Sequence, residues 1–342
     1  RSRGTSIMPK RFLGNIMTDA PTAPAGPFQN SAASGVWSLA EALSYTKGGL
    51  WPIAGNTQRA VFVAGAQSST NYNTMDYVTI SSTGNATDFG DYVAVKKYVG
   101  GCSSNTRGVF AGGEPSVSAA MSYITIATTG NATSFGNLNT SANYGAGCAN
   151  STRGLFSMFE YNNALIDYIT IATTGDASNF GNLTVARYWG TGSCASTTRG
   201  IWAAGSDGGA ELNVIDYVTI ATTGNASDFG NLTETQRSIA GCSSNTRGVF
   251  AGGSQSPQNT ISYITIASAG NATNFGDLQS GRADLTGTSS SVRGLFAGGG
   301  NAVNLIDYIT ISSTGNAADF GDLTQARFGL GSCSNSHGGL AA

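Results

Sequence analysis

The chain has 342 residues, of which 48 are glycine and only 11% are charged, with Lys+Arg 17 against Asp+Glu 19. A near-neutral, charge-poor chain has no basic surface with which to displace counterions from a phosphate backbone, so nucleic acid is excluded as a primary partner. No apolar run reaches the ~18 residues of a membrane helix, so no membrane insertion is expected, and 40% hydrophobic residues is too many for a disordered chain.

Residues 1–56 stand apart. Pro21-Thr22-Ala23-Pro24-Ala25-Gly26-Pro27 reads as an extended arm that orders only against a partner. Ser38-Leu39-Ala40-Glu41 is a capping-box pattern, predicting one short helix near 38–47 that stops at Gly48-Gly49. Trp37, Leu39, Leu43 and Trp51 are the apolar residues with which such an arm would anchor.

From residue 57 onward a phrase recurs six times at a step of about 46 residues, in the range of four-stranded propeller blades. Its clearest copy begins Thr246-Arg247-Gly248-Val249-Phe250-Ala251-Gly252-Gly253, continues with Ile261-Ser262-Tyr263-Ile264-Thr265-Ile266, and ends Gly270-Asn271-Ala272-Thr273-Asn274-Phe275-Gly276-Asp277-Leu278. The apolar run ended by glycine predicts a buried strand, and the alternating Asp-Tyr-Ile-Thr-Ile segments a half-buried one. Thr-Gly-Asn-Ala is a turn, and Phe-Gly-Asp-Leu a short outer strand. Small-residue stretches at 98–104, 144–150, 188–196, 238–244, 283–290 and 328–336 suit the crowded centre of a propeller. The count predicts an all-β, six-bladed propeller over 57–342, closed when 328–336 completes the blade begun at Arg59, which removes free sheet edges. His337-Gly338-Gly339-Leu340 reads as the start of another repeat.

The order of arginine, glycine pair, tyrosine and aromatic resembles the kelch repeat. Gly112-Gly113, Gly252-Gly253 and Gly298-Gly299 keep the double glycine, whereas Gly65 and Gly205 keep one and Ser157-Met158 none. Phenylalanine stands where kelch repeats usually carry tryptophan. The resemblance speaks to fold and leaves function open. The stretch from Gly35-Val36-Trp37-Ser38-Leu39-Ala40-Glu41-Ala42 to Gly49-Leu50-Trp51-Pro52 is similar to a segment of structural and tail-associated proteins of marine bacteriophages, where it precedes glycine-rich repeats. That resemblance implies a virion component (tail, fibre or surface decoration), with partners among other virion proteins through residues 1–56 and a host-surface glycan or receptor bound by the propeller. A homo-oligomer is compatible with such a particle. A pure capsid or tail scaffold without receptor binding, and a cellular carbohydrate-binding propeller, are the alternatives.

The single histidine, His337, excludes zinc and copper sites built from several imidazoles, and no carboxylate pair stands apart from the repeat. No catalytic residue, metal or cofactor is therefore expected. Cys102, Cys148, Cys194, Cys242 and Cys333 share one repeat position with Thr288. They are read as small buried fillers in preference to a ligand ring, which would tolerate Thr288 poorly. Arg59, Arg107, Arg153, Arg199, Arg247 and Arg293 are read as structural bridges between blades, with Asp76, Asp167, Asp216 and Asp307 as candidate acceptors, in preference to an anion-gripping ring. Arg187, Arg237, Arg282 and Arg327 form a second set. Asn85, Asn131, Asn225 and Asn271 match a glycosylation pattern but are explained by turn chemistry.

The connections at 66–74, 114–120, 159–165, 206–214, 254–260 and 300–305 differ from copy to copy. Variable loops on a rigid scaffold are where recognition usually sits. Tyr72, Glu160, Tyr161, Asn162, Asp207, Glu211, Gln255, Gln258 and Asn301 are the candidate ligand-binding residues, offering aromatic and hydrogen-bonding surface suited to sugars.

Overall fold

The computed structural model describes residues 58–157 and 163–340. The expected arm, its helix near 38–47 and its anchoring residues Trp37, Leu39, Leu43 and Trp51 lie outside the described residues, as do Glu160, Tyr161 and Asn162.

The described chain is a six-bladed, all-β propeller with four-stranded antiparallel blades. The second blade shows the pattern, running from the inner strand Gly100–Ser103 through Arg107–Ala111 and Ser118–Thr125 to the outer strand Thr133–Ala142. The first blade takes its inner strand, Gly331–Ser334, from the far end of the described chain, pairing Ser334 with Ala60 and Gly331 with Val63. Its third strand also pairs with a two-residue strand at Ala66–Gln67. The outer strands are longer than the sequence suggests. They run ten residues in every blade but the fifth, as in Ser178–Arg187, because a register shift lets the strand re-pair beyond Phe-Gly-Asn-Leu.

The core lies between blades. One cluster joins Val109, Met121 and Phe135 of the second blade to Phe156, Ile169 and Ile171 of the third. Another joins Phe320 and Leu323 of the sixth blade to Phe62 and Ile80 of the first. Polar contacts follow the same step. Each leading arginine stacks on its own blade's tyrosine at 4.2–4.5 Å from the ring centroid and donates to a carbonyl of the next blade. Arg59 reaches Ile126 O at 2.9 Å, and Arg293 reaches Ile80 O of the first blade at 2.8 Å. The turn asparagines act likewise, Asn131 Oδ1 accepting the Asp91 N–H and Asn85 Oδ1 the Asp322 N–H.

The candidate acids belong elsewhere than expected. The leading arginines are spent on carbonyls, and the buried acids Asp216 and Asp76 pair with Arg187 and Arg327 from the end of the preceding blade's outer strand, while Asp307 pairs with Arg282, which follows the fifth blade's short outer strand Thr273–Asp277. Asp167 faces Ala142 and is held by Asn139, through its Nδ2 at 2.6 Å and its N–H at 2.9 Å. Where the outer strand ends in Lys96 or Gln236, the facing residue is Ser122 or Ser262 in place of the acid. The repeat thus keeps a buried carboxylate only where a donor meets it.

Candidate functional site

The six inner strands surround an axial channel with a cavity of about 140 Å³. Their small residues permit the close approach. A Cβ on Gly147 would lie 2.5 Å from Gly101 O, and one on Gly287 2.5 Å from Gly241 O. At this level Ser193 and Ser332 replace glycine, and each hydroxyl donates to the neighbouring carbonyl, Gly147 O and Gly287 O, at 2.9 Å. The thiols fill the next layer. A Cβ on Gly154 would lie 2.5 Å from Cys102 Sγ, and the same relation holds for Cys333 against Gly108 and Cys242 against Gly294. All five cysteines are free and buried. Burial pushes the thiol of Cys148 up to about 12, so these are inert fillers. The copy that carries Thr288 precedes the copy that carries Ala60 in place of the glycine, so both departures fall at one blade junction.

The two ends of the channel differ. At the end where inner strands turn into second strands, the tail crosses the opening. His337 Nε2 lies 2.8 Å from Ser103 O, Gly338 N–H donates to Ser243 O, and Leu340 is buried. The tail is therefore not the opening strand of a further repeat. It forms turns across the channel end, and its paired glycines fit because a Cβ on Gly339 would lie 1.8 Å from Ala149 O. Burial holds the imidazole below its usual pKa.

The opposite end is the mouth, built from the corners between each outer strand and the following inner strand. Each corner adopts left-handed backbone, at Tyr98 (φ 57), Tyr144 (φ 51), Trp189 (φ 55) with Gly190 (φ 44), Ser238 (φ 57), Asp284 (φ 54) and Gly329 (φ 66). Backbone bonds link successive corners, from Tyr98 N–H to Gly329 O, Gly329 N–H to Asp284 O, Asp284 N–H to Ser238 O and Ser238 N–H to Gly190 O. Tyr98 lies across Gly329, where a Cβ would sit 2.9 Å from the ring, and its hydroxyl reaches Asp284 Oδ2 at 3.5 Å. Tyr98 stacks on Tyr144 at 4.1 Å, Tyr144 meets Tyr188 at 6.0 Å, and Tyr188 meets Trp189 at 5.0 Å. Arg237 covers Trp189 at 3.8 Å and pairs with Glu211 at 3.3 Å, while Lys97 lies over Tyr98 and pairs with Glu114 at 3.4 Å. Burial raises the Asp284 carboxyl above the usual range, opposed by hydrogen bonds from Ser238 and Tyr98 and by the Arg237 and Lys97 charges.

The variable connections share this face, as the Lys97–Glu114 and Tyr188–Ser206 bridges show. Of the expected ligand-binding residues that the structure describes, Glu211 alone is drawn into the mouth array, through Arg237. Asp207 accepts the Gly209 and Ala210 N–H groups, which hold its carboxyl below the usual range. Gln258 Nε2 donates to Ser254 O, the Gln255 backbone is bracketed by the Gln236 amide, and Tyr72 donates to Gln67 Oε1 at 3.3 Å. Asn301 is exposed in its turn. The mouth residues escape sequence reading because their repeat position carries mostly unlike residues, two tyrosines among the others. The signal available was that unlikeness, four residues before Cys102, Cys148, Cys242, Thr288 and Cys333. No known protein family matches the chain, and no curated protein matches it either.

Proposed function

We propose that the chain is a non-enzymatic recognition propeller of a phage virion (tail, fibre or surface decoration), in which residues 1–56 attach to other virion proteins and the propeller offers one face to a host-surface glycan. The observation that carries this reading is an asymmetry of variation between the two faces. The turns on the tail side repeat almost unchanged, and their side chains are spent on inter-blade bonds such as Arg107 to Ile171 O and Asn225 Oδ1 from Asn182 N–H. The mouth side carries the variable connections and corner residues of five different types over six blades, which the ring does not require. The kelch-like type and closure of the ring by the C-terminal strand belong to the same reading, supported by the Gly331–Ser334 pairing with Arg59–Val63 and by the Arg293 bond to Ile80 O. The phage assignment rests on the resemblance of residues 35–52 and the repeats that follow.

The experiment is binding of the full chain to bacterial envelopes. Saturable binding that is weakened by substitutions on the mouth face, and not by substitutions in the tail-side turns, is expected. Absence of binding to any envelope, with the fold intact, favours the scaffold alternative.

A further inference from the structure

The mouth positions present a conformational anomaly. Left-handed backbone favours glycine, and a bulky L residue there is strained. This chain is rich in glycine, yet only Gly190 and Gly329 use it at the channel mouth, while Tyr98, Tyr144, Trp189, Ser238 and Asp284 accept the strain. Strain of this kind persists where the side chain has a task, and it clusters at ligand sites.

What those side chains build is asymmetric. The Tyr98 and Tyr144 rings line one arc of the cavity, and Ser238 and Asp284 occupy the facing arc. The Asp284 carboxylate has spare accepting capacity, since its contact from the Tyr98 hydroxyl at 3.5 Å is long for an O–H···O bond. In the same cavity Thr191, 6% exposed, leaves its Oγ1 without a partner. The cations nearby pair with other acids, Lys97 with Glu114 and Arg237 with Glu211, and reach Asp284 only as more distant charges, so the one carboxyl lining the cavity has no ion-pair partner of its own. The cavity of about 140 Å³ is close to the ~150 Å³ that accepts one benzene-sized ring.

We infer that the channel mouth binds a single neutral sugar ring, the terminal residue of a glycan, with Asp284, Ser238 and Thr191 meeting its hydroxyls and the Tyr98 and Tyr144 rings packing on its carbon face. The fixed negative charge disfavours uronic and other carboxylated sugars. The inference rests on the recognition reading above and names its site and ligand class.

The test is calorimetric titration of the full chain with the methyl glycosides of glucose, galactose and mannose, and with glucuronate. At least one neutral glycoside binds with a Kd on the order of 1 mM, as expected for a dozen heavy atoms, and glucuronate binds at least tenfold more weakly. Asp284→Asn and Tyr144→Ala each weaken binding about tenfold, whereas Val292→Ser, on the opposite face, leaves it within twofold. Melting temperatures confirm that the variants fold. Failure of all three glycosides to bind, or equal binding by folded Asp284→Asn and Tyr144→Ala, overturns the inference. Envelope binding that survives both substitutions also overturns it while leaving recognition by this face standing. Glycoside binding without envelope binding supports the mouth site and removes host recognition.

Discussion

The buried pair between Arg327 and Asp76 joins the sixth blade to the first, and the repeat itself supplies the control for testing it. Arg327 is fully buried, donating through Nη1 to Ala64 O and Thr74 O at 2.8 Å each and through Nη2 to Asp76. Asp76 also accepts from the Thr324 hydroxyl. In Arg327→Gln the carboxylate keeps its threonine donor but loses its counter-charge in a dry junction. Stranding one buried partner costs about 3–5 kcal/mol, which lowers the melting temperature by roughly 5–8 °C for a propeller of this size. The junction of the fourth and fifth blades already runs on Gln236 and Ser262, with the Thr233 and Ser262 hydroxyls 2.8 Å apart. Thr324 stands where Thr233 does, so Arg327→Gln with Asp76→Ser recreates an existing junction and recovers most of the loss. Chemical denaturation of wild type, both single variants and the double variant closes the cycle, with a coupling of at least about 2 kcal/mol expected. Single variants that cost under about 1 kcal/mol, or strictly additive effects, would refute the account of these pairs.

Further outcomes follow from the same geometry. Gly154→Ala pushes a methyl group against Cys102 Sγ and costs about 1–3 kcal/mol in melting experiments; adding Cys102→Ala removes most of that penalty. The five cysteines resist a thiol reagent in the native protein and react together once the chain unfolds, whereas fast labelling of any one in the folded state contradicts its burial. Burial lowers the His337 pKa below 6.5, so the unfolded or undocked tail binds protons more readily and docking weakens as pH falls below about 6.5. The protection of amides 337–340, taken relative to their intrinsic exchange rates at each pH, should therefore fall between pH 7 and 5, and His337→Phe should abolish that pH dependence.

The blades were legible because each carries the same burial pattern on the same strand phrase, and the period set their number. The inner strands could be read from their small residues, since nothing larger fits where Gly147 meets Gly101. The partners of the acids could not, because the Arg187–Asp216 contact depends on which outer-strand end abuts the next blade, a matter of packing between repeats. The outer strands were underestimated because Ala-Arg and Thr-Gln segments look like loop and extend only by re-pairing past a bulge. The tail misled because His337-Gly338-Gly339-Leu340 imitates the Arg-Gly-Val-Phe phrase, although its role is to cross a channel end. The mouth was hidden for the opposite reason: a site whose residue changes type from blade to blade has no repeat signature.

The most direct test of recognition by the mouth face is hydrogen exchange of the full chain alone and saturated with a bacterial envelope to which it binds. The account predicts protection at residues 98–99, 144–145, 188–191, 237–239 and 284–285 and in the variable connections beside them, with the tail-side turns at 104–106 and 244–246 unchanged. Protection confined to the tail-side turns, or none at the corners, would contradict it.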